Sequence, residues 1–529
     1  MQGTERTTKA AVATNGMVAT PHELATRAGI DALRDGGSAV DAVVAANAVL
    51  TVVYPDQTSV GGDCFLLYFD AAGGVLRGYN GAGRAPAAID RAALRAAGHR
   101  QMPTRGILSV TVPGTVEAWA AASARFGRLG LDRLLRPAIG LARNGYQVSP
   151  ALARRLLAAA SVLDGADELR SRFSPGGVAL RAGDRIRWPE LVETLETIAR
   201  DGADGFYRGR IGESIVATSE RLGGYLTADD LARHRGEWVE PLTTDYRGTT
   251  VVALPPNSQG LTALLALNLV APSAVPTAWG SAEHLHPWIE AKKIAFAVRD
   301  GMLSDPGFVP VDTDRLLSRE FAADLWRAYD PARAAAGTPS LPGDTVYLCA
   351  VDRDGNAASL IQSIYMAFGS GVVAGGTGVV LQNRGSYFSL ADDHPNRLEG
   401  GKRTLHTLMP GMLLRDGRLL GPFGTQGGDA QAQVQTQLVA NVVDHGLDPQ
   451  AAIDAPRWIA GGATPTAVAL ESRFPAATFT GLAARGHDVA AAGEWDAGFG
   501  HAQMILIDEE RGVLLGGADP RADGVAFGL

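Results

Sequence analysis

The stretch that decides the fold reads Gly343-Asp344-Thr345-Val346-Tyr347-Leu348-Cys349-Ala350-Val351-Asp352-Arg353-Asp354-Gly355-Asn356. Its β-branched and aromatic residues lead into the turn signal Asp354-Gly355-Asn356, which predicts that Thr345 opens the first strand of a β-hairpin. Residues 330–342, directly before it, are rich in Pro, Ala and Gly and have no useful period, which is typical of an exposed, mobile loop. A threonine at the junction of such a loop and a strand is a candidate nucleophile.

A threonine hydroxyl is a weak nucleophile at neutral pH unless a base lies within hydrogen-bond distance. A free α-amine on the same residue is such a base, with a pKa of about 7.7 to 8.0. Cleavage between Asp344 and Thr345 would create that amine, so these two residues form the expected cleavage site. The alternative is that Thr345 only opens a strand.

Motifs on both sides of this threonine support the first interpretation. They are Asp35-Gly36-Gly37-Ser38-Ala39-Val40-Asp41-Ala42, Gly61-Gly62, Ala367-Phe368-Gly369-Ser370-Gly371, Gly378-Val379-Val380-Leu381-Gln382-Asn383 and Asp454-Ala455-Pro456-Arg457. With them the chain resembles the γ-glutamyltranspeptidase superfamily over nearly its whole length, from about Gly16 through Asp519-Pro520-Arg521. The resemblance implies a single chain that cuts itself and then uses the threonine as an N-terminal nucleophile.

Periodicity alone predicts a mixture of α and β structure, with helices dominating the middle of residues 1–344 and short strands following Thr345. Expected strands include residues 345–351, 358–363, 412–415 and 504–508. The resemblance implies more: an α+β N-terminal nucleophile fold, built as a four-layer αββα sandwich with a helical large-subunit portion. A large subunit of residues 1–344 and a small subunit of residues 345–529 would share that core.

The resemblance also assigns partners to the nucleophile. Ser363 matches a hydroxyl residue that hydrogen-bonds the threonine, although alone it reads as a polar strand residue. Gly427 and Gly428 match the paired glycines of an oxyanion hole, and two glycines at a helix start leave backbone N–H groups free to face an anion. A glycine pair by itself is a weak signal, because turns produce it often.

The substrate pocket departs from the γ-glutamyl pattern. Ala82 stands where an arginine would hold the α-carboxylate, and Arg84 is the nearest substitute. Positions that would hold the α-amino group carry Tyr365, Arg384 and Tyr387. An arginine beside two tyrosines does not attract an ammonium group.

His406 and Thr407 stand where paired serines would contact the carboxylate. Arg384 and His406 together predict a positively biased pocket for a small acyl group that bears a carboxylate and lacks an α-amine. The segments that contain these residues resemble the oxamate amidohydrolase branch; they are residues 79–86, 365–369, 382–386, 405–410 and 424–429. The expected reaction is amide hydrolysis through an acyl-enzyme. The enzymatic alternatives are a γ-glutamyltransferase or glutathione hydrolase and a cephalosporin-type acylase. The non-enzymatic alternative is an uncleaved pseudoenzyme that serves as a binding protein.

Composition and charge narrow the classes of partner and cofactor that the chain is expected to bind. The chain has 529 residues, 46% of them hydrophobic, and a net charge of -8 without a dense basic block, which argues against nucleic acid as a partner. Cys64 and Cys349 lie in apolar surroundings and fit buried free thiols. His284 and His286 are two apart on a predicted helix and so face different sides, and no metal or organic cofactor is expected.

The N-terminal residues contain no apolar run of signal-peptide length, and no segment reaches bilayer-spanning length. We therefore expect a cytoplasmic protein without a membrane partner. Its expected partners are a small-molecule amide and its own second subunit, and a dimer of two such αβ units is compatible with this expectation.

Overall fold

The computed structural model describes residues 9–275 and 278–529. Most of the N-terminal segment on which the expectation of a cytoplasmic location rests lies outside these residues. In the part of the chain that is described, no helix combines the length and the apolar character needed to cross a bilayer. Cys64 and Cys349 are buried free thiols, as predicted.

Two seven-stranded antiparallel sheets form the centre of the fold. In spatial order the first sheet contains Ala11–Ala13, Val513–Ala518, Ala502–Asp508, Arg418–Thr425, Gly411–Arg415, Thr249–Ala253 and Leu242–Tyr246. The second sheet contains Val525–Gly528, Met17–Thr20, Asp344–Val351, Ala357–Tyr365, Asp63–Asp70, Val75–Gly81 and Glu237–Val239. Smaller sheets pair Tyr146–Gln147 with Arg185–Ile186, Val373–Ala374 with Val379–Val380, and join Trp458–Ala460, Ala467–Glu471 and Asp488–Ala492. Each large sheet therefore takes strands from both sides of Thr345.

The two large sheets share an apolar core, which includes Phe65, Tyr347, Ile361, Met412 and Ile505. The helix Ala39–Val53 packs on the second sheet and contacts the two strands of the hairpin. On the first sheet, Gly260–Val270 and Ala430–Val443 take the equivalent position. Mixed α and β structure with antiparallel sheets is confirmed.

Most helices lie before Thr345, as the periodicity predicts. They are Glu23–Arg34, Ala39–Val53, Arg91–Ala96, Thr115–Phe126, Leu131–Leu134, Arg136–Asn144, Pro150–Ala158, Ala160–Asp164, Asp167–Phe173, Pro189–Tyr207, Arg210–Arg221, Ala228–Arg233, Gly260–Val270, Ala282–Met302, Thr313–Leu316 and Arg319–Trp326. After Thr345 come Ala430–Val443, Pro449–Asp454 and Ala476–Ala484. The helix that begins at Thr115 ends at Phe126, where Gly127 and Gly130 leave the helical conformation.

The hairpin that begins at Thr345 is confirmed, with Asp344–Val351 paired to Ala357–Tyr365 across the predicted turn. The loop before it is irregular and lies at the surface, but it is anchored rather than loose. Backbone N–H groups of Ala334, Gly337 and Ser340 donate to carbonyl oxygens of a later part of the chain, at 2.7, 2.7 and 2.8 Å. Composition predicts the missing secondary structure but not these tertiary hydrogen bonds.

Candidate active site

Thr345 lies in an irregularity of the hairpin, where the register slips between the pairs Asp344 with Tyr365 and Val346 with Gln362. Its side chain is buried, and Thr345 Oγ1 lies 2.6 Å from the carbonyl oxygen of Asp344. Ser363 Oγ donates to the same oxygen at 2.6 Å and lies 3.3 Å from Thr345 Oγ1. Two hydroxyl groups therefore converge on the carbonyl group of the Asp344–Thr345 peptide bond.

The carboxyl group of Asp344 is poorly solvated. Burial and the nearby Asp56 carboxylate raise its pKa to about 7, while Arg155 and Arg105 act in the opposite direction. The chain is continuous between Asp344 and Thr345, so the nitrogen of Thr345 is an amide in this structure. The base that the predicted reaction needs would exist only after that bond is cut.

The paired glycines lie where the segment preceding Thr345 crosses the site. Gly427 has φ 130° and Gly428 has φ 57°, and both values favour glycine. A Cβ on Gly428 would lie 2.6 Å from the nitrogen of Gly343, so a larger residue would displace that segment. Within residues 9–275 and 278–529, neither Gly427 N–H nor Gly428 N–H has a hydrogen-bond acceptor. In this part of the chain both donors are therefore unsatisfied.

Arg384 is a buried cation beside this junction. Its guanidinium group stacks on the ring of Tyr365 at 4.2 Å, and that ring lies against Gly343. Nη1 donates to Thr407 Oγ1 at 3.1 Å, whereas Nε and Nη2 have no partner among the described residues. Burial lowers the pKa of Arg384, but a guanidinium group stays charged at neutral pH. Arg384, Tyr365 and Thr407 are thus brought together.

Tyr365 and Tyr387 form an aromatic wall of the pocket, with their ring centres 5.6 Å apart. The Tyr387 hydroxyl donates to Asp429 Oδ1 at 2.6 Å, and burial with this carboxylate raises the pKa of Tyr387. Arg299 donates to both oxygens of Asp429, at 2.8 and 3.3 Å. Both oxygens of the Asp429 carboxylate beside the pocket therefore already accept hydrogen bonds.

The prediction that His406 carries a positive charge is wrong. Its Nδ1 accepts a hydrogen bond from Leu408 N, so the proton is on Nε2, which lies 3.0 Å from Asp63 Oδ2. Burial and the neighbouring Arg384 lower the pKa of His406 to about 4, so the ring is neutral at pH 7. The positive charge of the pocket comes from Arg384.

The contacts that Arg84 makes do not bring its guanidinium group to the pocket. Its guanidinium group pairs with Glu237 at 3.0 Å and with Asp305 at 3.4 Å, and it donates to the carbonyl oxygen of Gly401. Ala82 is buried in the core between the sheets. Arg84 as a substitute for the missing carboxylate clamp thus has no support from its contacts, since acidic partners already hold its charge.

Sequence reasoning missed Gln259, Arg299 and Asp429, which are buried beside the glycine pair. Asp429 directly follows Gly428, and a carboxylate at a helix start next to a predicted oxyanion hole was the available signal. Arg299 and Gln259 carry no local motif, because their roles depend on contacts across more than a hundred residues of chain.

A second cluster of titratable groups lies apart from these residues. His286, Glu290 and His487 are the one group in the described chain whose ligand atoms approach one another as metal ligands do. His286 Nδ1 and His487 Nε2 are 2.8 Å apart, and Glu290 Oε1 lies 3.8 Å from the latter. However, the Lys293 ammonium group already binds Glu290 Oε1 at 2.7 Å. A divalent cation would face that charge at the same oxygen, so the residues fit a hydrogen-bonded cluster better than a metal site.

Comparison with known proteins places this geometry in a family. The family description Gamma-glutamyltranspeptidase matches residues 25–529. The chain is 42% identical to the glutathione hydrolase-like YwrD proenzyme of Bacillus subtilis, covering 98% of this chain and 100% of the relative. It is 40% identical to the oxamate amidohydrolase proenzyme of Klebsiella pneumoniae, covering 98% and 99% of the two chains. The crystal structure of cephalosporin acylase from Bacillus halodurans superposes with a TM-score of 0.95 at 40% identity, covering 100% of this chain and 98% of that one. These relatives are named as a hydrolase-like proenzyme, an amidohydrolase and an acylase, and the chain is a hydrolase that belongs to the gamma-glutamyltranspeptidase family.

Proposed function

We propose that the chain is a proenzyme that cuts itself between Asp344 and Thr345 and then hydrolyses a small amide bearing a carboxylate, such as oxamate. Residues 1–344 and 345–529 remain together, and their two sheets with the helices on either side form a four-layer αββα sandwich. The approach of two hydroxyl groups to the Asp344 carbonyl oxygen supports the self-cleavage step.

In maturation, Thr345 Oγ1 attacks the carbonyl carbon of Asp344, and Ser363 stabilises the developing oxyanion. The C–N bond breaks, the nitrogen takes up the proton that Thr345 Oγ1 loses, and Asp344 is held on Thr345 as an ester. Water hydrolyses that ester. The products are a carboxylate on Asp344 and a free α-amine on Thr345.

In turnover, the α-amine accepts the proton of Thr345 Oγ1 while that oxygen attacks the substrate amide. The N–H groups of Gly427 and Gly428 stabilise the oxyanion, and ammonia leaves with the proton that the amine carried. Water then attacks the acyl-enzyme, with the amine again as the base, and releases the acid. The segment 341–343 must first leave Gly428, because it covers that glycine in the uncut chain.

The observation that carries the substrate assignment is the incomplete hydrogen bonding of Arg384. A buried guanidinium group with two unused donor positions is unfavourable, and a substrate carboxylate would satisfy it. An α-ammonium group, by contrast, would find neither of the two described carboxylates near Arg384, those of Asp429 and Asp63, free to bind it. Asp429 is held by Arg299 and Tyr387, and Asp63 accepts hydrogen bonds from Gly83, Gln382 and His406.

The test compares oxamate with its neutral isostere oxamide and with a γ-glutamyl anilide. Wild-type protein is expected to prefer oxamate, and Thr345→Ala is expected to abolish turnover. Arg384→Gln is expected to lower kcat/KM for oxamate by about 10- to 150-fold, which corresponds to the free energy of a hydrogen bond to a charged group. The same variant is expected to leave kcat/KM for oxamide unchanged. Robust hydrolysis of the anilide that requires Thr345, with no preference for oxamate, would overturn the assignment.

A longer acyl group is the second candidate, because the chain superposes closely on a structure titled as a cephalosporin acylase. Arg384 would serve the far carboxylate of a longer monoamide equally well. A series of monoamides from oxamate to glutaramate tests this directly, since the preferred length reports the space between the nucleophile and Arg384. A maximum at glutaramate would favour the acylase.

A further inference from the structure

Arg299 connects the last turn of the helix Ala282–Met302 to Asp429, which directly follows the glycine pair Gly427 and Gly428. Its side chain is 3% exposed. Besides both oxygens of Asp429, its Nη1 reaches Gln259 Oε1 at 2.9 Å. Its Nε donates to Asp300 Oδ1 at 2.8 Å, and the Asp300 side chain is 36% exposed to solvent. One buried guanidinium group therefore holds two side chains that border the site.

Gln259 carries this connection to the backbone of the site. Its Nε2 donates to the carbonyl oxygen of Gly428 at 3.1 Å and to that of Thr407 at 3.0 Å. The Gly428 carbonyl belongs to the peptide unit directly after the proposed oxyanion donors. Fixing its direction limits rotation of the glycine, which has no side chain to restrain it.

Asp429 provides the second connection. It lies at the start of the helix Ala430–Val443 and receives Tyr387 from the aromatic wall. In the uncut chain its Oδ2 also accepts a hydrogen bond from Leu341 N at 2.8 Å, so it holds the segment that crosses the site. After cleavage that segment can leave, while Arg299 and Tyr387 keep the carboxylate in place.

We propose that Arg299 and Gln259 are positioning residues for the oxyanion hole, an inference that rests on the proposed function. Arg299 orients the Gln259 amide, and Gln259 fixes the Gly428 carbonyl so that the N–H groups of Gly427 and Gly428 point at the developing oxyanion. Neither residue touches the substrate. Their effect is therefore on the transition state rather than on substrate binding.

Gln259→Glu separates this role from general packing. Glutamate has the same shape and still accepts from Arg299, but it cannot donate to Gly428 or Thr407. We expect kcat to fall by about 10- to 100-fold, as for a small misplacement of a catalytic group, with little change in KM. The matched control is Asp300→Asn, which alters the outward bond of Arg299 and is expected to leave kcat unchanged.

Two further readouts make the test decisive. Self-cleavage uses Ser363 rather than the glycine pair, so Gln259→Glu is expected to mature at the wild-type rate, which also shows that the variant folds. Carboxyethylboronic acid forms a tetrahedral adduct with a hydroxyl nucleophile, and its affinity is expected to fall in proportion to kcat. Wild-type kcat and boronate affinity in Gln259→Glu would overturn the inference, as would an equal loss of both in Asp300→Asn.

The proposed function and this inference fail differently. If mature wild-type protein turns over none of the amides, the amidohydrolase assignment is wrong. The boronate comparison between wild type and Gln259→Glu then still decides whether Gln259 positions the loop. If the wild type binds no boronate at Thr345, both proposals are overturned.

Discussion

At the residue scale, the proposed maturation and turnover place their oxyanions on different donors. Ser363 contacts the carbonyl oxygen of the bond to be cut, while the N–H groups of Gly427 and Gly428 have no acceptor among the described residues, and Gly428 lies against the segment that precedes that bond. One nucleophile can thus serve two reactions with separate stabilising groups. Substitutions can then separate the two activities.

Ser363→Ala is expected to slow self-cleavage by about 100-fold, because the developing oxyanion loses a preorganised donor. The matched control is Ser359→Ala on the same strand, where the hydroxyl binds Tyr347 instead. The appearance of the 345–529 fragment on denaturing gels gives both rates. Equal rates for the two variants would contradict the role of Ser363.

Asp344→Asn, introduced into the uncut Thr345→Ala chain, is expected to raise the free energy of unfolding at pH 8 and to leave it unchanged near pH 4. The pKa of Asp344 is about 7 in the folded chain and has its ordinary lower value in the unfolded chain. Between these values the folded chain binds more protons, so its stability falls as pH rises. Asparagine does not titrate and avoids this loss.

The difference between the two uncut variants should exceed about 1 kcal/mol at pH 8. Urea denaturation at both pH values measures it. An equal free energy of unfolding at pH 8 would show that the Asp344 carboxyl group ionises without cost in the folded chain.

The junction of an irregular loop and a strand makes Thr345 a candidate nucleophile from residue types, whereas Ser363 and the glycine pair become candidates only through the family resemblance. The charge of His406 could not be predicted this way. Burial and Arg384 keep its ring neutral, and Asp63, which lies 3.0 Å from its Nε2, is 343 positions away along the chain. The role of Arg299 could not be predicted for the same reason, since its partners Gln259 and Asp429 lie 40 and 130 residues away along the chain.

At the scale of elements, the helix Ala282–Met302 anchors the loop before Thr345 through two adjacent lysines. Lys293 binds Glu290 at 2.7 Å and the carbonyl oxygen of Ala335 at 2.7 Å. Lys292 donates to the carbonyl oxygen of Thr338 at 3.2 Å, and burial lowers its pKa to about 7. The two neighbours have different electrostatic surroundings.

Lys293→Met is expected to lower the free energy of unfolding at pH 7 by about 3–5 kcal/mol, because Glu290 would keep a buried charge without its partner. Lys292→Met is expected to change it by less than about 1 kcal/mol, because burial already disfavours the charge it removes. Thermal or urea unfolding of both variants in the Thr345→Ala background checks this. Equal losses would show that the ion pair does not distinguish the two positions.

The elements themselves are largely predictable from sequence. Alternating apolar residues and the turn at Asp354-Gly355-Asn356 give the hairpin, and three and four spacing gives the helices. The anchoring of the loop at 330–343 is not predictable, because an irregular segment forms its hydrogen bonds with distant backbone groups. Composition indicates where regular structure ends, but not what the chain contacts there.

At the scale of the whole molecule, the proposed cut falls inside a continuous core. In the second sheet the strand Asp344–Val351 is paired between Met17–Thr20 and Ala357–Tyr365. In the first sheet, strands from residues after Thr345 are flanked on both sides by strands from residues before it. The two fragments of the mature protein would therefore be folding partners rather than separate domains.

We accordingly expect the fragments to stay together through size-exclusion chromatography and to unfold in one cooperative transition. Cutting one bond leaves the shared apolar core intact, so separation requires denaturation. Scanning calorimetry of the mature protein and of the uncut Thr345→Ala chain compares them. Two well-separated transitions in the mature protein would contradict a shared core.

Intact mass spectrometry of the purified protein, before and after rapid acid quenching with oxamate, tests the central claim most directly. The account predicts two fragments, the second starting at Thr345, and an oxalyl adduct on the second fragment at the Thr345 side chain. A chain that stays whole near 55.1 kDa, or an acyl group carried by any other residue, would contradict it.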